Sequence, residues 1–367
     1  MKILLLDGTA GFTPNCLKER ATGGIATSLS ILPRMWAAMG HEVSVYHHDF
    51  VKTQHIDGVG WLDGDDTRLC KPDVIIYNRD YIKQEFIDYF AGAIQVVWLH
   101  DIPDPRVTYD HCLHKADSIV ALSEYHKRSF ADYWDIPESK FTVIPNGVDH
   151  SVFYCDNLPR DRHLFIHASA PIKGGLDVLG YVFTEMRKFD PKFTLETYAS
   201  QSLHKLNNGD YEAKLKSLAA AGITVCEPVP QAVLADRLRR AQGLLMPNFY
   251  PENCSNIMLQ ALACHTPVVS SNTGSAGEWI NPGRNGQLTH TYPHDLFWFF
   301  QDFLNKVKSV ATNGMWSFEE IASWQEISLN WDAHLRKLIR CAAPNAAASD
   351  GGKTLTTESP APAEAVC

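Results

Sequence analysis

The chain has 367 residues, 45% of them hydrophobic and 20% charged, which leaves room for two globular domains and excludes general disorder. A net charge of −9 argues against an extensive basic face for gripping nucleic acid and leaves only a local basic groove open. No apolar run approaches the ~18 residues that span a bilayer. The start, MKILLLDG, reads as a strand, because a signal peptide needs ~7–15 apolar residues, so the expectation is a cytoplasmic protein.

In chain order, KILLL (2–6) is a first strand, followed by a loop containing ATGGI (21–25). Gly23 and Gly24 open a helix over 24–39 that Gly40 ends, and EVSVY (42–46) is a second strand. Strand, helix, strand is the rhythm of a parallel sheet. It continues with DVIIY (73–77), a helix over 82–92, QVVWLH (95–100), SIVALS (118–123), a helix from Glu124, and FTVIPNGVD (141–149). Apolar runs without polar alternation suit strands buried on both faces. Residues 150–161 lose the pattern and read as a linker, which bounds a first domain at 1–150.

A second series then runs through HLFIHAS (163–169), a helix from about 174, FTLETYAS (193–200), GITVCEP (222–228), a helix over 231–241, GLLMPN (243–248), a helix after 255, and PVVSSN (267–272). Residues 293–340 read as helices carrying Trp316, Phe318, Trp324 and Trp331 as apolar anchors. The expected divisions are a second domain at 162–325, a terminal helix at 326–341 and a small, polar, Pro-rich disordered tail at 342–367. Nine scattered cysteines with no CxxC pair read as reduced structural thiols.

Ligands of doubly wound sheets sit beyond the carboxyl ends of the strands, so the loops there carry the candidates. Gly23 and Gly24 would let a ligand approach the backbone at a helix start that favours an anion, although a Gly pair can equally be structural. Lys173 precedes a helix start at Gly174–Gly175, where a cation opposes the dipole unless a bound phosphate satisfies both; a solvated lysine is the alternative. In YPENCSNIMLQALACHTPVV, Glu252 lies in an entry loop able to accept hydrogen bonds from sugar hydroxyls. Ser255 reads as an N-cap, free N–H groups around Asn256 and Ile257 can cradle phosphate, and Gln260 either faces solvent or pairs with a ribose. DGDD (63–66) reads as an acidic surface loop rather than a metal site, and His100, His111 and His114 lack a strong zinc spacing. NCS (253–255) is an N-glycosylation pattern that would fall inside the site.

Taken together, GGIATSLSILPRMWAAMGHEV, SIVALSEYHKRSF, FTVIPNGVD, APIKGG, VCEPVPQAVLADRLRRAQGLLMPNFYPENCSNIMLQALACHTPVV and NTGSAGE resemble, in order and spacing, the GT-B-fold retaining glycosyltransferases of family 4, over about residues 1–340. The resemblance implies an α/β fold of two Rossmann-like doubly wound domains facing across a cleft, with a C-terminal helix crossing back to the first. It implies transfer of a hexose from a nucleotide-diphosphate sugar, UDP-linked or GDP-linked, to a glycan or glycoconjugate hydroxyl, without metal or other cofactor. It gives Glu252 the donor sugar, the position of Gln260 the ribose, and Lys173, Gly23, Gly24 and the backbone at Asn256 and Ile257 the diphosphate. His100 would reach the donor sugar, and Glu227 to Val229 would lie beside the base.

Two positions depart from the family pattern. Gln260 stands where a second acid is expected, a loss of about 1–2 kcal/mol in hydrogen-bond strength, and Ala168 replaces an arginine facing the diphosphate. The expected partners are the nucleotide sugar and its acceptor, with no stable nucleic-acid binding and a monomeric or weakly dimeric state. A transferase acting on a macromolecule, and a non-catalytic sugar-nucleotide binder, remain as alternatives.

Overall fold

A computed structural model describes residues 1–9, 12–19, 21–67, 70–104, 106, 110–156, 158–198, 209–290, 292 and 294–349. The first sheet contains β1 (Lys2–Asp7), β2 (Glu42–His47), β3 (Gln54–Ile56), β4 (Val59–Leu62), β5 (Val74–Asn78), β6 (Ile94–Trp98), β7 (Ser118–Ala121) and β8 (Phe141–Val143). Their order is β3-β4-β2-β1-β5-β6-β7-β8, and every pairing is parallel except β3 with β4. The second sheet contains β9 (Asp161–His167), β10 (Thr194–Thr197), β11 (Thr224–Val225), β12 (Ala241–Met246), β13 (Val268–Ser270) and β14 (Gly286–Leu288), all parallel in the order β11-β10-β9-β12-β13-β14. The central strands β1, β5 and β12 are buried along nearly their whole length, as their unbroken apolar runs require.

Several expected boundaries shift. The β3–β4 hairpin was not anticipated, although Asp57-Gly58, with φ of 54° and 79°, is the Asp-Gly turn that hairpins favour. The helical expectation over 293–340 resolves into helices Leu296–Thr312 and Trp324–Ser349, so Trp316 and Phe318 lie on the connection between them. The last helix starts before residue 326 and runs eight residues into the expected tail, where Ala342, Ala343 and Ala346 favour helix. Residues 350–367 of that tail lie outside the described residues.

The last helix binds the two halves. Trp331 is fully buried, with its ring 5.6 Å from that of Trp36 and 5.2 Å from that of Trp98, both first-domain residues. Asp332 meets His41 at 2.8 Å. At the crossing, Val148 N–H donates to Ala322 and Trp324 N–H donates back to Val148. A side chain at Gly147 would meet the Trp324 backbone at 2.6 Å, so only glycine allows this approach. With the sheets so joined, the carboxyl-end loops of each touch those of the other, and the contacts below span this cleft.

Candidate active site

Loops of both domains build the site. After β9, residues Pro171–Lys173 form a single 3-10 turn, and Gly174 (φ 82°) and Gly175 (φ 83°) redirect the chain into helix Leu176–Phe189. The Lys173 carbonyl accepts the N–H groups of Phe249 and Tyr250, which fixes this turn to the loop after β12. A Cβ on Gly175 would stand 2.0 Å from the Pro247 carbonyl oxygen. Gly175→Ala should therefore lower stability by about 1–3 kcal/mol or more and displace Lys173, checked by thermal melting and donor binding.

The loop after β12 carries Asn248 and Glu252. The Lys173 ammonium lies 2.6 and 2.8 Å from the two Glu252 carboxylate oxygens, and Asn248 Nδ2 donates to Glu252 Oε1 at 2.7 Å. Glu252 is buried and its charge is thus matched by one cation and one amide donor. The loop after β13 straps the acid from behind: Ser275 N–H donates to the Glu252 carbonyl at 2.7 Å. Gly274 (φ 62°) permits this strap, since a Cβ there would lie 2.3 Å from the Glu252 carbonyl oxygen.

Helix Asn256–Ala263 begins beside the acid and meets the first domain. Asn146 Nδ2 donates to Asn256 Oδ1 at 2.7 Å, and Asn256 Nδ2 donates to the Gly24 carbonyl at 3.4 Å. Gly23 and Gly24 stand where expected, at the start of helix Gly24–Ala38, opposite Asn256. Asn253 Nδ2 donates to the His100 carbonyl at 2.9 Å, so Asn253 is engaged and buried rather than presented for glycosylation.

The His100 ring lies 4.4 Å from that of Trp98, tilted by 54°, and burial together with His126 and Arg79 holds its pKa well below the ordinary imidazole value. It is therefore neutral at pH 7 and a hydrogen-bonding group rather than a cation. His100 Nε2, Asn146 Oδ1, Asn248 Oδ1, Asn253 Oδ1 and Ser275 Oγ are all shielded from solvent without a partner among the described residues. Buried polar atoms are rarely left unpaired, and five on loops around one cleft suit a polyhydroxylated or phosphorylated ligand.

Gln260 is half-buried on the helix, and no side-chain hydrogen bond engages it among the described residues. Ile257 is half-buried one residue into the same helix. Glu227 is exposed and Val229 half-buried, in the loop between β11 and helix Gln231–Arg240, and Gln231 reaches Thr27 of the first domain at 3.5 Å. Ala168 follows β9 directly. Gln260→Glu should leave turnover intact or tighten donor binding, because an ionised acceptor is stronger toward a diol. A large loss of turnover with an unchanged melting temperature would contradict that role.

The sequence singled out Lys173 and Glu252 separately and missed that they pair. It also missed Asn248, four residues before the acid, and the cross-domain partner Asn146. The expected loop at 63–66 is instead the start of a short helix, Gly64–Thr67, where Asp63 Oδ1 accepts the Asp66 N–H. None of the eight described cysteines is in a disulfide. Among the described residues, His47, His48 and Asp49 form a group with metal-ligand spacing, but both ring nitrogens of His47 already bond, to the Thr9 carbonyl and the Asp49 N–H.

Two parallel α/β sheets meeting over such a cleft are the GT-B arrangement of glycosyltransferases. A sucrose-phosphate synthase from Thermosynechococcus elongatus superposes with a TM-score of 0.67 at 13% identity, covering 93% of this chain and 100% of that one. HepE of Anabaena, solved in complex with UDP, gives 0.61 at 16% identity, covering 95% and 100%. Residues 167–304 match the family model Glycosyl transferases group 1, and residues 98–152 match Glycosyltransferase Family 4. These two segments carry the chain's likeness to the group 1 and family 4 glycosyltransferases. A D-inositol 3-phosphate glycosyltransferase of Arthrobacter sp. (strain FB24) is 29% identical over 204 residues, 51% of this chain and 47% of that protein. The chain spans about half the length of such curated relatives.

Proposed function

We propose that this protein transfers a hexose from a nucleotide-diphosphate sugar to a hydroxyl acceptor, with retention of anomeric configuration and without a metal. The carrying observation is the Lys173–Glu252 pair, set in the cleft beside the first turns of helices Asn256–Ala263 and Gly24–Ala38. A UDP-linked donor is favoured by the solved neighbour that binds UDP-glucose, with a GDP-linked donor second; a glycan or glycoconjugate is the acceptor class. Eight described cysteines without a disulfide suit a reducing compartment, hence the cytoplasm. Among the described residues no helix is long and apolar enough to cross a membrane.

In this reading the donor parts the ion pair. Lys173 turns to the β-phosphate while Asn248 keeps its hold on Glu252, which accepts hydroxyls of the transferred sugar. As the glycosidic bond breaks, negative charge grows on the diphosphate, where Lys173 and the free N–H groups at Asn256 and Ile257 offset it. Gly23 and Gly24 admit the phosphates close to the backbone. His100, neutral, offers Nε2 to the sugar, and Gln260 meets the ribose. The acceptor hydroxyl attacks from the leaving-group face, and its proton passes to the departing phosphate oxygen, so no protein nucleophile is required.

The test is hydrolysis and transfer across a panel of nucleotide sugars, with Glu252→Ala as control. One or a few donors should be consumed by the wild type and not by the variant. Consumption of none, under any acceptor condition, contradicts the enzyme reading.

A further inference from the structure

The first turn of helix Glu124–Trp134 belongs to the first domain, yet its free amides are capped from the second. Glu124 N–H donates to Glu278 Oε2 at 2.9 Å and Tyr125 N–H to Glu278 Oε1 at 2.6 Å. The third amide, of His126, is taken within the helix by Ser123 Oγ at 3.1 Å. One carboxylate thus fits two amides at the positive end of an 11-residue helix, a favourable place for a negative charge.

Both ends of this contact lead to the site. In the second domain, Glu278 N–H donates to the Ser275 carbonyl, and Ser275 N–H donates to the Glu252 carbonyl. In the first domain, His126 accepts the Leu122 N–H at Nδ1, which places its proton on Nε2, and Nε2 donates to the Asp101 carbonyl at 2.9 Å. The neighbouring His100 carbonyl is held by Asn253, one residue after Glu252. The helix, the His100–Asp101 loop and the Glu252 loop therefore form one circuit that closes through Glu278.

We infer that Glu278 is a latch: a positioning residue whose carboxylate holds the two domains closed and couples the Glu252 loop to the His100–Asp101 loop. Its part in sugar transfer rests on the function proposed above, but the latch itself does not. Opening the cleft would uncap Glu124 and Tyr125, and a donor that settles the Glu252 loop would strengthen the grip by linkage.

The experiment is amide exchange and small-angle scattering on the full chain for wild type, Glu278→Gln and Glu278→Ala, free and with UDP-glucose. In the free protein, Glu278→Ala should speed exchange at Glu124 and Tyr125 by about tenfold or more. It should also enlarge the radius of gyration while leaving the melting temperature within a few degrees. Glu278→Gln, which keeps an amide oxygen, should fall between. UDP-glucose should compact the wild type and slow these amides, and do neither in Glu278→Ala. Unchanged dimensions in Glu278→Ala, with faster exchange confined to the helix, would overturn the latch and leave a local cap. A latch response in the free protein, with no effect of UDP-glucose on any form, would keep the latch and remove its link to this donor.

Discussion

Glu252→Gln is expected to lower kcat/KM by about 10²–10⁴ while moving the melting temperature by only a few degrees. The exchange keeps volume and loop shape and removes the charge. The strap from Ser275 and the turn at Gly274 act on the backbone, so both survive. What disappears is the ionised acceptor that meets Lys173 at 2.6 Å and, in the proposed complex, the sugar hydroxyls. Hydrogen bonds to a charged group contribute about 1.5–3 kcal/mol each, and every 1.36 kcal/mol lost from the transition state is about tenfold in rate. Lys173 remains partly in contact with water and would tolerate the loss of its partner. Steady-state kinetics beside a melting curve check this; a large fall in stability with a matching fall in activity would make Glu252 a structural acid.

Lys173→Ala is the second large effect, expected to cost about 10²–10³ in turnover through lost stabilisation of the diphosphate charge. Its stability cost should be the larger of the two. Glu252 is buried, and without Lys173 its carboxylate keeps Asn248 as its remaining side-chain donor, so a few degrees of melting temperature should go with the activity. Lys173→Ala combined with Glu252→Gln separates the two consequences: the pair should recover most of the lost stability and none of the turnover. Recovery of turnover in the double variant would show that the lysine served only to neutralise the acid.

The sheets were legible because buried parallel strands announce themselves as unbroken apolar runs, and β1, β5, β6 and β12 fall within a residue or two of their expected limits. Short pieces were not: β11 has two residues and β14 three, too few for any periodicity. The β3–β4 hairpin was signalled by Asp57-Gly58 and passed over because its strands are only three and four residues long. Lys173 and Glu252 could be singled out from turn chemistry and family resemblance, but their pairing joins positions 79 apart in sequence. Glu278 and Asn253 lie still further from their partners, 153 or more residues away, and their function exists only once the domains meet. For Gln260 the sequence left solvent and ribose open. Half-burial without a side-chain bond suits a residue facing a cleft, and the variant Gln260→Glu decides its role.

The central claim is that this cleft is a nucleotide-sugar site organised by Lys173 and Glu252. Calorimetric titration of UDP, GDP and their glucose conjugates into the wild type and Lys173→Ala tests it most directly. The account predicts that one nucleotide series binds the wild type, that the glucose conjugate adds affinity through Glu252, and that Lys173→Ala weakens both by about tenfold or more. Equal binding to wild type and Lys173→Ala, or no binding of any of the four compounds at millimolar concentration, would contradict it.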